Sequence, residues 1–310
     1  MTYVLGLDVG GTASRALLTT LDGARVGFGR AGAGNPVAVP LADAVTQVCA
    51  AARDALSGAD GTRIRAAVMG IAGAGRFTDP AIAAAFAAGF AQAGVPVAVR
   101  PVGDVDVAYA AGSTVPDGTV LICGTGAIAA RIEGWELGST ADGLGWLLGD
   151  LGSGFWLGRA AATTAARELY AGRFDSPLVR RVTAALLGAR PDLDGPRGPV
   201  RQDADDLVNA VHEQPPRALA RLAPLVTEAA EAGDRLALSL VDDAARHLVD
   251  SACEVHAGGP VVLAGSVLRH SAPVRDAVRT LLAQRLPGTS VTLAGPGELG
   301  AARLAAATLT

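Results

Sequence analysis

At 310 residues, half of them hydrophobic, the chain is long enough for two domains with a substantial core. Its net charge of −4 is spread without long like-charge runs, which excludes a polybasic footprint for nucleic acid or an anionic membrane. All 26 Lys-or-Arg positions are arginine, which also excludes a lysine base, a lysine Schiff base and a P-loop lysine.

In chain order, the alternation of Val4–Leu7 and Arg15–Leu18 predicts two strands, with Asp8–Thr12 as a glycine-rich hairpin turn. Glycine there permits positive φ and close approach to the backbone amides, Thr12 adds a hydroxyl and Asp8 a carboxylate. Amides with a hydroxyl suit phosphate, and a carboxylate suits its magnesium; an ordinary hairpin whose turn needs glycine is the competing reading. A third strand is expected near Ala24–Gly29, a helix over 40–57, a buried strand Ala66–Gly70, a helix over 80–93 and a strand Val95–Arg100. Residues 80 to 99, broken at Gly94 and Pro96, read as helix then strand and not as a membrane span.

From Gly118 the pattern restarts with strand Thr119–Cys123, turn Gly124-Thr125-Gly126 and strand Ile128–Glu133, turning at Gly134. This echo of the opening device predicts two similar domains facing one cleft. Helices follow at about 155–171, 177–188, 203–212, 216–231 and 234–257, with the proline-rich segment Gly188–Arg201 expected as a mobile surface loop. Strand Val261–Ala264, turn Gly265-Ser266, a helix over 271–286, strand Val291–Leu293 and a helix from Glu298, expected to pack back on the first domain, complete the chain. Cys49, Cys123 and Cys253 form no C-x-x-C pair, which argues against a zinc ribbon, an iron–sulfur site or a disulfide framework and fits a reducing cytoplasm. No basic leader precedes Met1–Val9, a stretch too short for a signal sequence, so none is expected.

Four glycine-containing segments end or follow strands: Asp8–Thr12, Ala72–Gly75, Gly124–Gly126 and Gly265–Ser266. Together they predict a cleft lined by backbone amides that takes polyanionic phosphate without lysine. Gly124–Ala129 also fits the dinucleotide pattern G-x-G-x-x-A, but the alternating residues after it favour a hairpin over the helix that pattern requires. In "VGDVDVAYAAG", Asp104 is a candidate catalytic group or a helix N-cap, and Asp106 a cap or a solvated group. Asp150, flanked by Trp146 and Phe155, and Asn35 in "GAGNP" carry the same choice between ligand contact and local cap or turn. Carboxylates, an amide and an aromatic opposite a phosphate cradle describe a sugar site.

The set "GLDVGGT", "GAGNP", "VGDVDVAYAAG", "ICGTG", "GLGWLLGDLGSGFW", "AEAGDRLA" and "VLAGSVL", closing with "PGELGAARLA", resembles the N-acetylglucosamine kinase branch of the BadF/BadG/BcrA/BcrD-type ATPases. The resemblance runs in order over nearly the whole chain and implies an α/β fold of two ribonuclease-H-like, actin-like ATPase domains around a central nucleotide and sugar cleft. It implies residues 1–112 with the C-terminal helix 295–310 as one domain and 113–294, with a helical insertion, as the other. The implied activity is ATP- and Mg2+-dependent phosphorylation of a sugar 6-hydroxyl by a cytoplasmic homodimer with no nucleic-acid or membrane partner. Carried over by motif, Asp8 would hold magnesium through water, and Gly10, Gly11, Thr12, Gly124, Thr125 and Gly126 would bind phosphate. Gly233, Gly265 and Ser266 would border the base and ribose; Asn35, Asp104, Gly143, Leu144, Gly145 and Asp150 would contact the sugar, with Asp104 as the base.

Three positions depart from the family pattern. Its G-D-E-G-S reads Gly149-Asp150-Leu151-Gly152-Ser153, its usual tryptophan is Leu144 with Trp146 two positions on, and the serine after G-T-G is Ala127. These leave the phosphate machinery alone and open the identity of the sugar, with N-acetylmuramate, glucosamine and glucose as alternatives to N-acetylglucosamine. Two other classes in the resemblance are disfavoured. An iron–sulfur ATPase activator needs clustered cysteines, and a sugar-sensing regulator needs a DNA-binding appendage, for which a hairpin beginning at Tyr3 is expected to leave no room.

Overall fold

In the computed structural model, which describes residues 1–188 and 200–309, the apolar runs either side of Asp8–Thr12 pair as an antiparallel hairpin of β1 (Tyr3–Val9) and β2 (Ser14–Thr20). β3 (Arg25–Ala31) joins β2 antiparallel; β4 (Ile64–Ile71) joins the other edge of β1 in parallel, and β5 (Val99–Val102) lies parallel to β4. The sheet order is therefore β3-β2-β1-β4-β5. Helices α1 (Leu41–Leu56), α2 (Pro80–Gln92) and α3 (Asp104–Ala110) complete this part. One face of β1 sends Leu5, Leu7 and Val9 into a core with Val48 of α1 and Phe86 and Phe90 of α2.

The second sheet consists of β6 (Gly118–Cys123), β7 (Ala127–Glu133), β8 (Glu136–Asp142), β9 (Val261–Ala264) and β10 (Val291–Leu293), in the order β10-β9-β6-β7-β8. The order of the first sheet is repeated, strand for strand, about the central strand β6, and β6 pairs in parallel with β9 as β1 does with β4. Between β8 and β9 run α4 (Gly145–Leu148), α5 (Gly154–Tyr170), α6 (Pro177–Leu187), α7 (Val200–His212), α8 (Ala223–Glu231) and α9 (Arg235–Val255). After β9 come α10 (Ser266–His270) and α11 (Ala272–Arg285), and after β10 comes α12 (Gly297–Ala307). No described helix is long and apolar enough to cross a membrane.

The chain divides into two units: Met1–Gly118 with Ile132–Gly138 and Thr292–Thr310, and Thr119–Arg131 with Ser139–Val291. In the first, α12 lies on the face of β1 opposite α1, where Ala301, Ala302 and Leu304 bury with Val4, Val68 and Val107. Gly6 makes this approach possible, because a Cβ there would stand 2.2 Å from the backbone nitrogen of Ala302. Backbone-on-backbone packing fixes the start of α12 beside the end of β1, where Asp8 sits.

The sequence reading misplaces or omits a few elements. β5 begins at Val99 and not at Val95, because the Val95 N–H donates to the Phe90 carbonyl at 3.0 Å and seals α2, with Gly94 left-handed at φ 86°. β8 was not expected; its first five residues are exposed and show no alternation. The helix expected over 216–231 is a 3-10 segment, Pro216–Leu222, followed by α8, and the one expected over 271–286 is preceded by α10. The proline-rich segment expected to be a loop lies, over 189–199, outside the described residues.

Candidate functional site

In the first unit the turn between β1 and β2 is held by the Gly10 N–H donating to the Ala13 carbonyl at 2.9 Å and the Gly34 N–H donating to the Gly10 carbonyl at 3.2 Å. Neither Gly10 nor Gly11 adopts a positive φ, so the sequence argument from left-handed backbone fails here. Their lack of side chains keeps the surface open. A Cβ at Gly10 or Gly11 would meet Ala13 O or Ala38 Cβ at 3.3 Å, and Gly11 and Thr12 face solvent.

Asp8 stands at the base of this turn. Arg15 of β2 approaches its Oδ2 at 3.4 Å, and a Cβ on Gly297 would stand 2.6 Å from its Cγ, so the α12 backbone is directly against it. Burial pushes the Asp8 carboxyl above its usual range; Glu298 and Asp104 push the same way, against Arg15. Glu298 is only 7% exposed, and its Oε2 is buried with no hydrogen-bond partner. Two carboxylates thus act electrostatically on Asp8, and Arg15 is beside it.

Asp104 does not cap α3. The cap position belongs to Gly103, no side chain bonds there, and Asp104 is exposed as the first helical residue. Asp106 supplies the local structure instead: burial raises its carboxyl, while it accepts from the backbone N–H groups of Gly103 and Leu137, so it is not a solvated group. Asn35 is 6% exposed and bridges loops: its Nδ2 donates to the Ala72 carbonyl at 3.1 Å and its Oδ1 accepts from Val37 N–H at 2.9 Å. Its side chain therefore shapes the loops after β3 and β4.

In the second unit the Gly124-Thr125-Gly126 turn joins β6 to β7 as a hairpin, which removes the dinucleotide reading. The turn is backed by α5, whose Gly154 and Phe155 N–H groups donate to the carbonyls of Gly124 (2.8 Å) and Thr125 (3.1 Å). Ser153, and not Asp150, caps that helix through its Oγ. Asp150 adopts φ 56° and turns its Oδ1 to the Ala127 N–H at 3.1 Å, just past the glycine turn. Asp142 holds it there by accepting from the N–H groups of Asp150 and Leu151, each at 2.7 Å. Gly143 and Gly145 are left-handed, and Leu144 between them is 65% exposed.

A cavity of about 400 Å³ opens beside this turn, a size suited to a small-molecule ligand. Of the expected nucleotide residues, Gly124, Thr125 and Ser266 line it, and Gly126, Gly233 and Gly265 do not. Gly265 is needed for close packing, since a Cβ there would stand 2.2 Å from Cys123 O. Gly233, at φ 80°, ends α8 with its N–H bonded to Ala230 O and the following Asp234 N–H bonded to Ala229 O. That helix contributes Thr227, Glu228 and Glu231 to the wall. These residues were missed in the sequence, where they read only as a polar helix face. Glu298 did leave a signal, as the lone charge in the run Ala294–Ala302. Among the described residues no group of three or more acidic, His or Cys side chains is placed to hold a metal ion.

The sequence profile of the BadF/BadG/BcrA/BcrD ATPase family matches residues 5–305. A search of curated proteins gives no match. Among solved structures, a provisionally named N-acetylglucosamine kinase from Chromobacterium violaceum aligns with TM-score 0.69 and 23% identity over 99% of each chain. Another provisionally named N-acetylglucosamine kinase, from Porphyromonas gingivalis, aligns at 0.67 and 19% over all of both chains. A ROK family glucokinase from Streptomyces griseus, solved with glucose and AMPPNP, aligns at 0.56 and 20% over 98% of this chain and 99% of that one. The two repeated sheets and these alignments give the two-domain, actin-like ATPase fold.

Proposed function

The chain belongs to the BadF/BadG/BcrA/BcrD ATPase family, and we propose that it is an ATP-dependent sugar kinase that phosphorylates the 6-hydroxyl of an amino sugar, N-acetylglucosamine first. One observation carries this reading: Asp104 caps nothing, is exposed, and lies within electrostatic reach of Asp8, which sits at the base of an open, glycine-rich turn. A carboxylate without a role in the fold, next to a magnesium carboxylate, is suited to be a general base.

In this reading Asp8 would hold hydrated magnesium, and Gly10, Gly11 and Thr12 would bind phosphate at the turn of the first unit. The turn Gly124–Gly126 of the second unit is likewise suited to phosphate, and the cavity beside Ser266 to the nucleoside. Magnesium supplies charge neutralisation on the phosphates when bound. Asp104 accepts the proton of the sugar 6-hydroxyl as its oxygen bonds to the γ-phosphorus and the bond to the ADP oxygen breaks. The rest of catalysis is positioning. Asp150, locked by Asp142, has Oδ2 left for a sugar hydroxyl, and in the first unit Asn35 shapes the loops after β3 and β4. The free thiols Cys49, Cys123 and Cys253 suit a reducing cytoplasm.

The test is Asp104→Asn. Since Asp104 makes no cap bond, the variant keeps the melting temperature of the wild type while kcat falls by about 10²–10⁴ and ATP affinity stays within about threefold. A variant retaining more than about a third of wild-type kcat refutes the base.

A further inference from the structure

Glu298 has a chemistry that neither the fold nor the base mechanism uses. It sits in the first turn of α12, 7% exposed, with Oε2 sealed from solvent and unbonded. A charged carboxylate in that state costs several kcal/mol unless a cation balances it. Arg15 is the cation of this site, and its contact is with Asp8. Glu298 directly follows Gly297, whose backbone stands against the Asp8 carboxylate, so it lies at the same end of β1 and acts on Asp8 electrostatically. The helix cannot swing Glu298 away, because Gly6 and Gly300 bring the α12 backbone against β1 and α3, where a Cβ at either position would lie about 2 Å from neighbouring backbone atoms. The group is built in and fixed.

Resting on the kinase reading, we infer that Glu298 is the second carboxylate of the magnesium site, accepting hydrogen bonds from the ion's water shell opposite Asp8 and setting how strongly ATP binding depends on the metal. Magnesium keeps most of its waters, which lets two carboxylates share it without direct ligation by both.

The experiment is calorimetric titration of ATP at a series of Mg2+ concentrations and in EDTA, for wild type, Glu298→Gln and Glu298→Asp, with melting temperatures in EDTA alongside. The expected result for Glu298→Gln is a Mg2+ concentration for half-maximal ATP affinity raised about tenfold or more, with ATP affinity in EDTA unchanged and a melting temperature in EDTA no lower than wild type. Glu298→Asp keeps the charge but retracts it, and shifts the midpoint in the same direction by less; it decides the matter alone if Glu298→Gln does not fold. Midpoints within twofold of wild type in the folded variants overturn the role of Glu298 and leave the kinase reading intact. Failure of wild-type protein to bind ATP at any Mg2+ concentration overturns both.

Discussion

Asp8 carries its carboxylate into a place that burial and two acidic neighbours make unfavourable for charge. Its folded pKa lies above the usual value of 3.8, so the group favours folding below that pH, and this contribution is lost as pH rises through the folded value. Asp8→Asn removes the titration at the cost of a partly exposed ion pair with Arg15, which is worth little. In metal-free buffer the melting temperature of the variant therefore gains on that of wild type as pH rises above the usual carboxylate value of 3.8. A difference independent of pH contradicts the electrostatic account. At the tip of the same turn, Gly11 needs no left-handed backbone, so Gly11→Val acts by blocking approach rather than by strain. It is expected to weaken ATP binding about tenfold or more with little change in melting temperature, read by calorimetry and thermal unfolding; unchanged affinity in the folded variant removes the phosphate role of this turn.

The elements show why one part of the molecule was legible in sequence and another was not. Both glycine turns sit between alternating apolar runs, which is a local signal, and both hairpins formed where that signal lay. β8 gave no such signal because an exposed edge strand has no buried face to alternate with, and β5 slid along the chain because Val95 is used to seal α2. Glu298 and Asp142 matter through residues distant in the chain or through paired backbone amides, and spacing does not reveal either. Asp234 is a further case. Burial pushes its carboxyl up, but Ser176 Oγ at 2.6 Å and the N–H groups of Ala237 at 2.9 Å and Leu178 at 3.1 Å outweigh that and hold it below the usual range. It thereby caps α9 and ties down the start of α6. Its stabilisation is present above pH 3.8 and lost as pH falls through the folded value. Asp234→Ala is expected to cost about 2–3 kcal/mol by urea unfolding at neutral pH, with the difference shrinking on acidification. A cost below about 0.5 kcal/mol contradicts the capping role.

At the scale of the whole molecule, the same five-strand order occurs twice, each time with a glycine turn following the central strand, and the ATPase family spans residues 5–305. The fold and the two glycine turns follow from repeated local pattern, whereas the sugar proposed as substrate does not, because Leu144, Leu151 and Ala127 depart from the pattern that the resemblance supplies. The measurement that bears most directly on the account is therefore an ATP-dependent phosphorylation panel over N-acetylglucosamine, N-acetylmuramate, N-acetylmannosamine, glucosamine and glucose, with the product phosphate located by NMR. The account predicts magnesium-dependent turnover with phosphate on the 6-hydroxyl and the highest kcat/KM for N-acetylglucosamine. A higher kcat/KM for glucose than for every acetamido sugar would contradict the substrate class, and ATP binding without phosphate transfer to any sugar in the panel would contradict the kinase itself.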